Sequence, residues 1–270
     1  MELKLAQQMA EQSGNSFQCE VANHFKQKGW TVLLSPYYVD PMTDKTRELD
    51  MIVERHVDLP PSWEESPHYG VKVRLFIECK YILEGNGYVF WRDAKNTGEI
   101  SNLLNRTGHG VFEPRDPYTQ QHHYLYAAPA AKLMTGGMEA NVYKGYKADS
   151  TMSEALNQCL HGFVRNRDRA ALTNTPRNTT TVVKLDFPVI MCSKFADRIF
   201  ETECVNPPKV DAITDSDFLL EVWYAYPHEQ SIKREFFIVD IVDFTQIHNF
   251  LATAIDKDVR LATQILNRGQ

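Results

Sequence analysis

Hydrophobic positions along the chain repeat with two periods, and the switches between them mark out the elements. Phe17, Val21 and Phe25 recur at helical spacing inside a helix predicted over residues 3–28, with Ser13-Gly14-Asn15 as a break, Ser16 as a cap and Gly29 as the stop. Trp30 to Tyr38 reads as a β-run, closed by a turn from Asp40-Pro41 to Lys45. Strands are predicted over residues 47–57 and 71–81, joined by an irregular stretch holding Pro60-Pro61 and Trp63-Glu64-Glu65. Residues 85–150, rich in Gly, Asn, His and Tyr, carry a short helical segment over 93–106 and an apolar one over 123–134, and read as an insertion packed on the core. Met152, Ala155, Leu156, Cys159, Leu160, Phe163 and Val164 form one stripe and predict a helix over 152–170. After a turn-rich linker from Thr173 to Asn178, strands are expected at 180–192, 218–226 and 235–242, then a last helix capped by Thr245 and running to Asn267.

Ionisable residues break this pattern at one place. Glu78-Cys79-Lys80 closes the run Val73-Arg74-Leu75-Phe76-Ile77, and Asp50 sits upstream in Arg47-Glu48-Leu49-Asp50-Met51-Ile52-Val53. Side chains alternate along a strand, so Glu78 and Lys80 share a face, roughly 6–7 Å apart, while Cys79 points into the packed side. Burying unpaired charge is costly, so the set needs a reason. Two acids beside a lysine can hold a hard dication, which prefers oxygen ligands and retains waters. Such an ion polarises a phosphoryl group and acidifies water, and the lysine positions that water or offsets developing charge. Glu20, on the first helix, is a further candidate ligand if that helix crosses the strand ends. The plainer alternative is a surface pair of Glu78 and Lys80 on an edge strand; the coincidence of helix, upstream acid, apolar run and same-face lysine favours the site.

Composition narrows the classes. A chain of 270 residues with 43% hydrophobic content can build the core of one α/β domain. No stretch approaches the about 20 apolar residues of a membrane span, and Met1 to Gln8 lacks a signal-peptide core. Five scattered cysteines (Cys19, Cys79, Cys159, Cys192 and Cys204) without a CxxC pair suggest free thiols and a cytoplasmic protein. The formal net charge of −6 gives no global attraction to nucleic acid, so contact must come from a local patch or a partner. Arg165, Arg167 and Arg169, with Arg177 nearby, form the densest basic cluster; they suit phosphate contacts, and equally a helix C-terminus. His122-His123, taken as strand residues, would face opposite ways and make a poor metal pair. Tyr37-Tyr38, Tyr88, Phe90 and Trp91 suit base stacking or the core, and Gly136-Gly137 reads as a turn.

The helix-strand-strand-strand order carrying Asp50, Glu78 and Lys80 resembles the PD-(D/E)xK phosphodiesterase superfamily, the restriction-endonuclease-like group. That resemblance implies an α/β fold whose core is a helix, three strands, a helix and a strand around a central mixed sheet. The core would span residues 16–84 and 151–192 of a single domain, with an insertion at 85–150 and a C-terminal extension of strands and helix at 193–270. It implies Mg²⁺, replaceable by Mn²⁺, held by Asp50 and Glu78 with Glu20 joining, and Lys80 assisting the attacking water. Gln158 would face the site from the second helix, with Arg165, Arg167 and Arg169 on the substrate. Leu49 stands where proline is common in the family. The implied activity is a Mg²⁺-dependent endonuclease cutting DNA to leave a 5′-phosphate, in defence against foreign DNA. A protein partner or homo-oligomer would control it, away from membranes. The alternatives are a non-catalytic nucleic-acid-binding or assembly subunit on the same fold, and an RNA-directed nuclease.

Overall fold

A computed structural model describes residues 3–5, 14–40, 45–59, 68–107, 112–126, 130–141, 145–149, 151–169, 172, 179–203, 205–228 and 231–268. Helix α1 (Gly14–Gln27) leads into β1 (Thr31–Leu34), β2 (Tyr37–Val39), β3 (Thr46–Glu48), β4 (Met51–Leu59), β5 (His68–Lys80) and β6 (Asn86–Arg92). Then come α2 (Thr97–Thr107), α3 (Pro117–Gln121), α4 (His123–Tyr126), β7 (Ala130–Asn141), β8 (Gly145–Asp149) and α5 (Thr151–Asn166). The chain finishes with β9 (Thr179–Cys192), β10 (Ile199–Thr202), β11 (Val210–Ala212), β12 (Asp217–His228), β13 (Ser231–Asp243), α6 (Ile247–Phe250) and α7 (Asp256–Arg268).

The fold is α/β around a mixed sheet in the order β1-β4-β5-β9-β13-β12-β7-β6-β10-β11, with β8 on β7. β1, β4 and β5 form an antiparallel meander, and β9 lies parallel to β5 after the α5 crossover. Alternation along β5 sorts its side chains between two layers. Val71, Val73, Leu75 and Ile77 pack with Phe17, Val21 and Phe25 of α1 and with Val259 and Ala262 of α7. Phe76 joins Met152, Ala155, Cys159 and Leu160 of α5 on the other face. α1 ends where Gly29 takes a φ of +78°, a left-handed stop that costs glycine little.

Several expectations are corrected. The Trp30–Tyr38 run is two strands, because Ser35 turns left-handed at φ +46° and Pro36 brings no N–H to a ladder. Residues 85–150 do more than cover the core: β6, β7 and β8 extend the sheet itself, and only α2, α3 and α4 pack on it. The helix expected over 152–170 ends at Asn166. β10 and β11 had no counterpart in the sequence reading. Asp243, not Thr245, is the cap: it accepts from the Thr245 N–H at the start of a 3-10 turn over Phe244–Gln246 that leads into the C-terminal helices, and a π-turn over Leu251–Ile255 interrupts them. Gly136-Gly137, expected as a turn, lies inside β7, where Gly137 pairs with Asp149 of β8. The 60–67 connection and the 173–178 linker lie outside the described residues.

Candidate functional site

The β4–β5 register pairs Met51 with Ile77, which sets Asp50 across from Glu78 at the end of the meander. Asp50 is pinned through its backbone: its carbonyl accepts from Gln18 Nε2 of α1 at 2.7 Å and from the Ser35 N–H at 2.9 Å. Its carboxylate Oδ2 accepts from the Cys79 N–H at 2.7 Å. Glu78 is 7% exposed, and its Oε2 is buried with no hydrogen-bond partner among the described residues. Burial, then the charge of Asp50, pushes the Glu78 carboxyl up to about 9. Burial pushes Asp50 up to about 6, against the pull of the Cys79 N–H. The two acids therefore resist ionising together, as facing carboxyl groups do.

Lys80 is half-buried two residues beyond Glu78 on the same strand. Cys79, between them, packs into the opposite layer with the α1 core, and burial drives its thiol far up, so it is poorly suited to act as a nucleophile. Beneath Glu78, Cys159 of α5 donates to the Phe76 carbonyl at 3.7 Å and the Val189 carbonyl at 3.5 Å. Gln158 of α5 is half-buried, and its backbone carbonyl accepts from the Tyr38 hydroxyl at 3.5 Å. Burial, followed by the Glu78 charge, raises that Tyr38 hydroxyl to about 12.

Glu20 is placed elsewhere. It lies two residues past Gln18, about 200° around the helix, and lines a shallow surface pocket with His24, Phe244 and His248. The α1 side chain that reaches Asp50 is Gln18. A third acid is Glu48, exposed on β3, whose charge acts on both Asp50 and Glu78. The spacing Glu48-Leu49-Asp50 was the available signal for it, since alternation puts such a pair on one side.

The arginine cluster sits toward the other end of β5. The carbonyls of Arg167 and Arg169 accept from Arg74, four residues before Glu78 and so about 13 Å away along the strand. Arg167 is engaged with Glu235 at 3.4 Å and with the Tyr226 hydroxyl at 3.1 Å, Arg169 with Asn166 Oδ1 at 3.3 Å, and Arg165 is exposed. Arg177 lies outside the described residues.

His122 and His123 are not strand residues, which overturns the reason for setting them aside. The turn between α3 and α4 stacks their rings at 4.7 Å and aims both at Asp258 of α7. The Tyr124 N–H donates to His122 Nδ1 at 3.1 Å, so the His122 proton is on Nε2, 2.9 Å from Asp258 Oδ2. His123 donates from Nδ1 to Asp258 and from Nε2 to Asp240 at 3.0 Å. Burial opposes charge on His123, but the two carboxylates outweigh it and push the ring up to about 10. Ligand atoms of His122, His123 and Asp258 lie within 4.8 Å of one another, the geometry of a metal group. Their hydrogen bonds already use each ring nitrogen, and the His123 imidazolium offsets one of the two carboxylate charges it lies between.

No family model matches the chain, and neither a curated protein nor a solved structure matches it.

Proposed function

We propose that this chain is a divalent-metal-dependent phosphodiesterase acting on DNA, with Asp50 and Glu78 as metal ligands and Lys80 as the cation beside the scissile phosphate. The observation that carries this reading is the orphaned Glu78 Oε2, buried opposite Asp50. A native interior leaves few polar atoms without partners, and an oxygen-seeking dication answers both that vacancy in hydrogen bonding and the conflict between the two acids. The donor set, two carboxylates with a third acid at Glu48, suits Mg²⁺ or Mn²⁺ rather than a soft metal. The order α1, antiparallel meander, α5 and parallel β9 supports the resemblance to the PD-(D/E)xK superfamily, and the choice of DNA rests on that resemblance.

When bound, the dication supplies positive charge that polarises the phosphoryl group. Asp50 and Glu78 hold that charge in place, and Asp50 is itself oriented by Gln18, Ser35 and Cys79. Glu78 must release its proton on taking up the cation, so metal affinity rises with pH. Lys80 orients a phosphate oxygen and offsets the charge that develops on it. With a net charge of −6, the chain reaches its substrate through a local patch or a basic partner.

Glu78→Gln tests the reading with two readouts. Native protein is expected to gain thermal stability with Mg²⁺ and to nick plasmid DNA. The variant should lose the Mg²⁺-dependent shift and about 10²–10³ of the nicking rate while remaining folded. Undiminished nicking by a clean Glu78→Gln preparation would sink the assignment.

A further inference from the structure

β9 and β13 are neighbours in the sheet, yet they pair only where Val189–Cys192 meets Asp240–Asp243. Below that register the strands part, and Lys184, Asp186, Phe187 and Pro188 of β9 with Glu235, Phe237 and Ile238 of β13 line a cleft of about 330 Å³. Helices from both layers close it: α2 and α3 on one side, Phe163 of α5 with Arg167 just past its end on the other. The volume is at the lower end of the range that holds small organic ligands.

The cleft is polar in a graded way. At its inner end Tyr118 is fully buried, and its hydroxyl has no hydrogen-bond partner among the described residues. Leaving such a hydroxyl unpaired is unfavourable, and a bound polar group would offset that cost. Phe187 and the neutral His122 ring lie nearly parallel beside it, with centroids 6.0 Å apart. Toward the opening stand half-buried Lys184 and exposed Arg106. The acids of the lining are already answered: Arg74 grips Asp186, and Arg167 and Lys233 hold Glu235. Asp168 acts on Arg167. Lys184 and Arg106 are left as the positive end of an aromatic slot.

We infer that the cleft between β9 and β13 binds a small planar aromatic anion, its ring packed against the surface formed by Phe187, His122 and Tyr118 and its acidic group on Lys184 and Arg106. The site is separate from Asp50 and Glu78. Lys184 pairs in register with Lys72, six residues before Glu78 and about 20 Å from it along the strand.

Isothermal titration of the full chain tests this with four probes: adenosine 5′-monophosphate, 4-hydroxyphenylacetate, adenosine and inorganic phosphate. At least one of the two aromatic anions is expected to bind, and which of them does so tells a nucleotide from an aromatic acid. Adenosine, lacking the anion, and phosphate, lacking the ring, should bind at least about tenfold more weakly. Tyr118→Phe should raise the melting temperature of the free protein, since it removes an unpaired hydroxyl, and should weaken the bound anion roughly tenfold; Lys184→Met should weaken it by a similar factor. The inference is overturned if neither aromatic anion binds, if adenosine or phosphate alone binds as well, or if both variants bind with native affinity.

Discussion

A carboxyl group in the interior holds its proton, so Glu78 and Asp50 make the metal-free protein prefer acid. Their folded-state values, about 9 and about 6, lie above the roughly 4.3 and 3.9 of exposed glutamate and aspartate. The folded chain therefore binds more protons than the unfolded one, and its stability falls as pH rises. The contribution is complete below about pH 4, is lost for Asp50 through about 6 and for Glu78 through about 9. His123 has the same sign, from about 6.5 up to its own value near 10, so the difference between native and Glu78→Gln proteins isolates the acid. Metal-free melting temperatures measured from pH 5 to 9 are expected to drop more steeply for the native chain than for Glu78→Gln, and Mg²⁺ should flatten the native curve. Equal slopes would show that Glu78 is ionised without metal. His123 supports a second residue-scale prediction. Its imidazolium is buried between Asp240 and Asp258, and removing one member of such a set leaves uncompensated charge. His123→Ala should cost about 3–5 kcal/mol in denaturant unfolding, whereas a loss under 1 kcal/mol would show the network to be marginal.

The elements that carry the candidate site were legible because their periodicity is local. On β5 the odd positions Val71, Val73, Leu75 and Ile77 are uniformly apolar, while the even ones read Lys72, Arg74, Phe76, Glu78 and Lys80, so the polar face could be assigned from the sequence alone. Gly29 and the stripe from Met152 to Phe163 were equally plain. Glu20 was misplaced because a helix that crosses strand ends offers any of several faces, and its rotation is set by Phe17 packing on Phe244 and Tyr81, residues far apart in sequence. β10, four residues long and paired in parallel with β6 from more than a hundred residues upstream, is too short to show a period. Close approach between elements was likewise hidden. A Cβ added at Gly162 of α5 would lie 2.9 Å from Leu49 Cβ, an atom fixed to the backbone beside Asp50. Alanine there gains about 1 kcal/mol of helix propensity but forces α5 off the sheet at about 1–3 kcal/mol. Gly162→Ala should therefore lower the melting temperature and weaken Mg²⁺ binding together. A gain in stability would mean that Leu49 yields without disturbing Asp50.

At the scale of the molecule, the division into a nuclease-like core and an appended extension meets the sheet itself. β13, which belongs to residues 193–270, lies between β9 and β12 and completes the ladder on β9 from Val189 to Cys192. α7, from the same region, covers the layer that contains Leu75 and Ile77 and carries Asp258, the partner of His122 and His123. A chain cut after Cys192 would lose those partners at once. It would present β9 as an open edge, uncover a face of buried Val, Leu and Ile, and strand His123 without either of its carboxylates. Each of these is destabilising, and the open edge invites pairing with other chains. The full chain is expected to unfold in one cooperative thermal transition, with nicking activity and Mg²⁺ response lost together. Residues 1–192 alone should give no cooperative melt and should aggregate on purification, although Asp50, Glu78 and Lys80 are all present. A soluble 1–192 fragment that melts cooperatively and binds Mg²⁺ would show instead that the meander, α5 and β9 stand as an autonomous unit to which β10–β13 were joined.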